Sequence, residues 1–427
     1  MVPTTSTVSA ATSSAASPAA ISPASTKKRK VAPVTANGTV AKATNQNESS
    51  PAAQSPAAMS ASTITPARVA ASWNFFKSIG SPKLHVAPMV DQSELPYRLL
   101  CRKYGADCAY TPMLHARLFI ESEKYRREHF TTCPEDRPLI TQFCANDPDI
   151  LLQAAKYVEN DCDAVDINFG CPQRIAKKGN YGAFLMDDLP RVKALVSILA
   201  ENLSIPVFCK IRIFPDKERT LAYARMIQDA GCQLLAVHGR TRDQKRCREI
   251  RADWDMIKAV KEELEIPVLA NGNVRHIGDA LDCMAYTGCQ GVLSAEPLLE
   301  NPALFIEGRE ELVGEECCDL LLEYLDLVEQ YPVPLRMVRA HVHRLLKRWF
   351  NVFPEVRIRM NESLASVDMF RAITKEIKLL VRQHLVDLEK AKTSAQAQAP
   401  QAEAARNGVN LADESKPDEA AAENQAE

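Results

Sequence analysis

The stretch DINFGCPQ, residues 166–173, ends an apolar run on a cysteine held between a glycine and a proline. A thiol ionises near pH 8.5, so at neutral pH Cys171 is mostly protonated and can serve as a proton donor. Buried and inert, it would be one more small core residue. Its place in a Gly-Cys-Pro turn, followed by the glycine- and lysine-rich RIAKKGNYGA, favours a thiol on a working loop. The chain has 13 cysteines but no CxxC pair and no Cys/His ligand spacing. Reduced thiols are therefore expected, with no zinc or other metal site.

Further polar residues recur at the ends of short apolar runs. They are Gln142, Asn168, Lys210 with Arg212, His238 with Arg240, Asn271 with Asn273, and Glu296. Amides such as Gln142 and Asn271 match amide-like edges of a flat ring system. Lys210 can neutralise negative charge developing on such a ring. It can equally form a Schiff base with a carbonyl substrate, or pair with a neighbouring carboxylate. LANGN, residues 269–273, precedes a helical stretch and offers backbone N–H groups of the kind that bind phosphate.

These residues need a scaffold that gathers strand ends at one place. Apolar or β-branched runs occur at 84–90, 108–114, 138–144, 164–170, 206–213, 234–240, 266–273 and 291–296. Amphipathic stretches such as DPDILLQAAKYVEN and ADWDMIKAVKEEL separate most of them. Alternating strands and helices imply parallel strands joined by right-handed crossovers. Eight such units fit an α/β fold of the (β/α)8 TIM-barrel type, in which chemistry sits at the C-terminal strand ends. A Rossmann sheet is disfavoured, because no GxGxxG follows the first strand.

From about residue 310 the pattern becomes helical, as in EECCDLLLEYLDLVEQY and DMFRAITKEIKLLVRQHLVDLEK, and implies a C-terminal helical bundle. RMVRAHVHRLLKRWF places Arg336, Arg339, His343, Lys347 and Arg348 at helical spacings. Such a stripe binds phosphates or is simply a solvated face. His341 and His343 are two residues apart and form no helical metal pair.

The boundaries expected are a disordered tail at 1–75, a barrel at 76–308, a helical domain at 309–390 and a disordered acidic tail at 391–427. The first tail is rich in Ala, Ser, Thr and Pro, too poor in large apolar residues to offset chain entropy. It carries TKKRKV, whose basic residues 27–30 read as a nuclear-localisation patch or a solvated charge run. A cytoplasmic or nuclear location is expected. The formal net charge of −2 over 427 residues argues against binding nucleic acid with the whole surface, so any basic surface is local. No run of about 18 apolar residues predicts a transmembrane helix, so no membrane partner is expected.

APMVDQSELPYRLLCRKYGAD, DINFGCPQ, KIRI, VHGRT and LANGN, in that order, resemble the tRNA-dihydrouridine synthase family, and APMVDQSE with YTPMLHARLF resembles its eukaryotic branch acting at positions 16 and 17 of the D-loop. The likeness covers roughly residues 84–305, with the helical segment matching the family's RNA-binding domain. The resemblance implies an FMN enzyme that reduces uridine in tRNA to 5,6-dihydrouridine with NADPH or NADH, as a monomer. Pro88, Met89 and Val90 would line the flavin, Gln142 and Lys210 would contact its ring, and His238 would lie near it. Asn271, Gly272 and Asn273, with Ala295 and Glu296, would hold the ribityl-phosphate end. Asn168, Arg212, Arg240, Arg339, Lys347 and Arg348 would bind the RNA substrate. Cys171 would be the general acid, giving a proton to C5 while a hydride from reduced flavin reaches C6. The uridine would have to leave its stack to be reached. One departure stands out: Pro297 occupies a position where the family supplies a small residue, and proline has no N–H to give a phosphate.

Overall fold

A computed structural model of the chain describes residues 64–245 and 250–409. The apolar runs form strands β1 (Leu84–Val86), β2 (Cys108–Tyr110), β3 (Leu114–His115), β4 (Leu139–Cys144), β5 (Ala164–Phe169), β6 (Val207–Ile213), β7 (Leu234–Thr241), β8 (Val268–Asn271) and β9 (Gly291–Ser294). Every pairing is parallel. β1 pairs with both β2 and β9, and β2 pairs with β4, so the sheet closes into an eight-stranded barrel. β3 is a two-residue continuation of the β2 segment beside the end of β4. Pro112 interrupts that segment because it has no N–H for the ladder. There the Thr111 hydroxyl accepts the Gln142 backbone N–H at 3.1 Å.

Strand side chains alternate between the helices and the barrel interior. Ala87, Tyr110, Ile140, Phe208, Leu234 and Leu269 belong to the buried cluster that fills the lower interior. The helix Pro66–Ser78 closes the bottom: Phe76 is buried, the Phe75 ring meets Phe208 edge-on at 6.0 Å, and the Trp73 indole donates to the Glu265 carbonyl at 2.8 Å. The ordered chain therefore begins before residue 76. The helix starts at a Thr65 cap that accepts the Arg68 N–H, with a proline at its first position, a recognised start signal.

The C-terminal region is helical, with Glu316–Gln330, Leu335–Leu345, Lys347–Val352, Pro354–Glu362 and a long helix Val367–Val409 that runs past residue 390. It shares its buried core with the barrel. The contact is fixed by a buried polar cluster. Glu94, at the start of the barrel helix Leu95–Lys103, accepts from the Tyr324 hydroxyl at 2.7 Å and pairs with His341 at 3.0 Å. Tyr97 stacks on the His341 ring at 4.0 Å.

The TKKRKV patch lies outside the described residues. Among the described residues no helix is long and apolar enough to cross a membrane, and no cluster of three or more His, Cys, Asp or Glu side chains could hold a metal.

Candidate active site

Register sets the rim. Gln142 lies opposite Asp166, Asn168 opposite Lys210, Arg212 opposite His238, and His238 opposite Asn271. Alternate residues of β5 to β8 therefore point into the barrel together, above the apolar lower layer. A cavity of about 1020 Å³ opens there, walled by Lys210, Arg212, His238, Arg240, the Asn271–Asn273 turn and the Ser294–Pro297 segment.

Cations and carboxylates share this cavity, with Lys210, Arg212 and Arg240 on the strand ends and Glu296, Glu300, Glu310 and Glu311 on the wall contributed by residues 296–311. Burial, with help from Arg212, pushes Lys210 down to about 8, and its ammonium donates to Asn271 Oδ1 at 2.7 Å. Asn271 Nδ2 is held in turn by the Leu293 carbonyl at 2.9 Å. Arg240 lies against His238 Nε2 at 2.8 Å and donates to Asn273 Oδ1 at 2.9 Å. Arginine only donates, so Nε2 accepts and His238 is neutral. Burial, then the charges of Lys210, Arg212 and Arg240, hold its pKa well below the ordinary histidine value. Gly272 and Asn273 both have positive φ, and a Cβ on Gly272 would lie 2.6 Å from that of Ala252. The turn is therefore built around a glycine. The helix Ile277–Thr287 starts beyond it, with its cap His276 on the cavity wall.

The thiol side is equally constrained. Asn168 Oδ1 accepts the N–H groups of Gly170 at 3.0 Å and Cys171 at 2.8 Å. Arg212 Nε donates to the Gly170 carbonyl at 2.8 Å, and the Ala183 N–H donates to the Cys171 carbonyl at 3.1 Å. The loop is pinned at three successive peptide groups. Cys171 itself is half-buried beside Cys144, Tyr181 and Phe184. Burial pushes its thiol above the ordinary value, opposed by a hydrogen bond from the Gln173 backbone and by Arg212 and Lys210.

Lys210, Arg212, His238, Arg240, Asn271, Gly272, Asn273, Ala295, Glu296 and Pro88 thus gather around one cavity. Met89 is a core residue whose N–H donates to Ser93, and Val90 is 58% exposed and outside the cavity wall. Gln142 is fully buried, and its amide is engaged between Asp166 and Asn168. The basic stripe is divided among several partners. Arg339 turns inward to the Met360 carbonyl at 3.1 Å and over the Phe370 ring, while Lys347 pairs with Glu300 at 2.7 Å. Arg336 and Arg344 reach barrel carboxylates, Asp91 at 3.2 Å and Glu296 at 3.7 Å. Arg336 and Lys347 thus dock the helical region onto the barrel, Arg339 and His343 bind within the helical region, and Arg348 remains exposed over Trp349.

Asp166 is the site residue that the motifs did not single out. A carboxylate in the middle of an apolar strand was the available signal, since a buried charge needs a partner. Burial raises its pKa to about 7, against the Gln142 hydrogen bond and the Lys210 charge.

A closed parallel barrel with cations and a pinned thiol loop around its C-terminal mouth is an enzyme of the (β/α)8 class. The chain belongs to the dihydrouridine synthase family, since the model described as "Dihydrouridine synthase (Dus)" matches residues 85–394. It is 49% identical over 308 residues to a rat protein named a tRNA-dihydrouridine(16/17) synthase-like protein, covering 71% of this chain and 68% of the relative. It is 43% identical over 327 residues to the tRNA-dihydrouridine(16/17) synthase of Schizosaccharomyces pombe, covering 74% and 82%. With the Saccharomyces cerevisiae protein of the same name it shares 45% over 293 residues, covering 66% and 69%. All three names include NAD(P)(+).

Proposed function

We propose that this protein reduces uridine to 5,6-dihydrouridine in tRNA, at positions 16 and 17 of the D-loop, as the names of its relatives say of them. The observation that carries the reading is the pinned, half-buried Cys171 beside a cation-lined barrel mouth.

FMN fits the residues present. The cavity of about 1020 Å³ is ample for a flat ring with a phosphate tail. Lys210 and Asn271 would hold the ring, and Arg240, with the backbone of residues 272–273 and 295–296, would hold the phosphate. Residue 297 offers no N–H, so the phosphate relies on other donors. FMN, recharged by NADPH or NADH, would supply the hydride that reaches C6 of the uracil.

The protein supplies the proton and the orientation. Cys171 Sγ gives its proton to C5, so the C5=C6 bond gains one hydride and one proton, and a thiolate remains. Burial keeps the thiol protonated at neutral pH, and Arg212 and Lys210 stabilise the thiolate once it forms. Neutral His238 carries its proton on Nδ1, where it can donate a hydrogen bond without adding charge. Gly170, Asn168 and Arg212 hold the loop still, which preserves alignment of donor and base. Exposed Arg174, Lys177 and Lys178 lie on the short helix that follows Cys171, suited to RNA phosphates.

The test compares wild type with Cys171→Ala. Purified protein should carry a flavin spectrum, and unmodified tRNA should gain dihydrouridine. The alanine variant should be reduced by NADPH, while tRNA reoxidises it ~10²–10⁴ times more slowly, the usual worth of a positioned general acid. A variant reoxidised at the wild-type rate would remove Cys171 from the mechanism. A flavin-free protein that leaves tRNA unchanged would remove the reading itself.

A further inference from the structure

We propose that Asp166 is a positioning residue for the Cys171 thiol, acting by fixing the direction of a chain of amides that runs from the barrel interior to the Cys171 backbone. The inference rests on the reading above for its consequence in catalysis, but the chain itself stands on geometry.

The chain has three links. Asp166 Oδ2 accepts from Gln142 Nε2 at 2.7 Å. Gln142 Oε1 accepts from Asn168 Nδ2 at 2.8 Å. Asn168 Oδ1 accepts both loop N–H groups, of Gly170 at 3.0 Å and Cys171 at 2.8 Å. The first two members are partners across β4 and β5, and Asn168 is two residues along β5 on the same face.

A carboxamide can be turned end for end with almost no change in shape, so packing alone does not set its direction. Only the termini of the chain can. Backbone N–H groups at the loop end donate and nothing else. Asn168 must therefore turn its oxygen to them and its NH2 to Gln142. Gln142 must then turn its NH2 inward, and the chain needs an acceptor at residue 166. Without one, either a buried NH2 of Gln142 loses its partner, or both amides turn over and Asn168 faces the loop donors with a donor. The first leaves a buried polar group unpaired, which is costly. The second releases the loop.

Asp166 has no competing assignment. Its Oδ1 has no hydrogen-bond partner among the described residues. Lys210, the cation that acts on it, gives its ammonium hydrogen bond to Asn271 instead. The carboxylate is fully buried.

The experiment follows amide hydrogen exchange in the flavin-loaded full chain, comparing the loop peptide 168–173 with a control peptide from β8. Asp166→Leu should raise exchange in the loop about tenfold while β8 stays protected. Asp166→Asn should restore protection, because its carbonyl still accepts from Gln142. Gln142→Met breaks the middle link and should also loosen the loop. It carries the test if Asp166→Leu does not fold. In stopped flow, reoxidation of Asp166→Leu by tRNA should slow about tenfold more than its reduction by NADPH, with the asparagine variant recovering the difference. A loop that stays protected in a folded leucine or methionine variant overturns the proposal. So does equal loosening of loop and β8, or an asparagine variant that behaves like leucine. If wild type forms no dihydrouridine, the catalytic reading fails, and the exchange arm still decides whether the chain holds the loop.

Discussion

Gly182 lies directly against the backbone of Cys171. A Cβ at residue 182 would sit 2.8 Å from the Cys171 carbonyl oxygen and 3.0 Å from its Cβ, and the residue has φ +64°. The next N–H, of Ala183, donates to that same carbonyl. The turn at residues 182 and 183 thus seats the thiol loop in two ways, by hydrogen bonding and by leaving room.

Gly182→Ala should therefore displace the thiol. A side chain at positive φ costs ~1 kcal/mol by itself, and the close contact with Cys171 adds to it. Stability should fall by ~1–3 kcal/mol in urea titration. The tRNA half-reaction should slow by ~10–100-fold relative to the NADPH half-reaction, since small misplacements at a reacting centre cost that much. Equal slowing of both would show that residue 182 acts on the barrel as a whole.

Lys210 gives the cavity a pH dependence. Its free-protein value of about 8 follows mainly from burial, and an anionic ligand favours the charged form. Affinity for FMN should be highest below pH 8. It should fall as the pH rises through 8, by up to about tenfold per unit for one linked proton. Lys210→Met should bind FMN more weakly and lose this slope. Fluorescence titration of the flavin-free protein measures both. A slope that persists in Lys210→Met would assign the proton to another group.

The barrel was legible because strands covered on both faces read as near-continuous apolar runs, such as PVFCKIRI and IPVLANGN. The polar strand ends of β6 to β8 were legible for the complementary reason, since Lys210, His238 and Asn271 interrupt those runs at their C-terminal ends. Direction and partnership were not legible. Spacing shows that Arg339 and Lys347 lie on a helix, but not that Met360 and Glu300 face them. Asp166 sits mid-strand, where sequence shows a buried charge without showing its partner. The helix Pro66–Ser78 was masked by its Ala- and Ser-rich surroundings, although Trp73, Phe75 and Phe76 close the barrel.

The Glu94–His341 pair should prove costly to break singly. Both side chains are buried, at 4% and 0% exposure. His341→Leu strands the Glu94 carboxylate and should cost ~3–5 kcal/mol, the usual loss for half of a buried pair. Glu94→Gln with His341→Leu should recover part of it, giving strong non-additivity in a double-mutant cycle. In the wild type burial would raise Glu94, but His341 and Tyr324 hold it below its ordinary value. Its contribution is therefore complete above pH 4.5 and lost as the pH falls through the lowered value. In His341→Leu the sign reverses. Burial then raises Glu94, so the variant should gain stability as the pH falls from 7 toward 5. Thermal melts across that range decide it.

RNA affinity should depend on the loop cations and not on Arg339 and Lys347, which are engaged within the protein. Arg174, Lys177 and Lys178 are exposed beside Cys171 and form no ion pair among the described residues, and Arg348 is exposed on the helical region. Each phosphate contact contributes about 0.7–0.9 to the slope of log affinity against log salt. Lys177→Ala with Lys178→Ala should weaken tRNA binding and flatten that slope by about one to two. Arg348→Ala should flatten it by up to about one. Arg339→Ala removes a bond to the Met360 carbonyl and a contact with Phe370. It should lower stability while leaving the salt slope of the folded protein unchanged. Lys347→Ala should do the same more weakly, since its exposed pair with Glu300 contributes ~0–1 kcal/mol. Filter binding at several salt concentrations, alongside melts of each variant, separates the groups. A slope that drops in Arg339→Ala but holds in the double lysine variant would move the phosphate surface from the thiol loop back to the helical stripe.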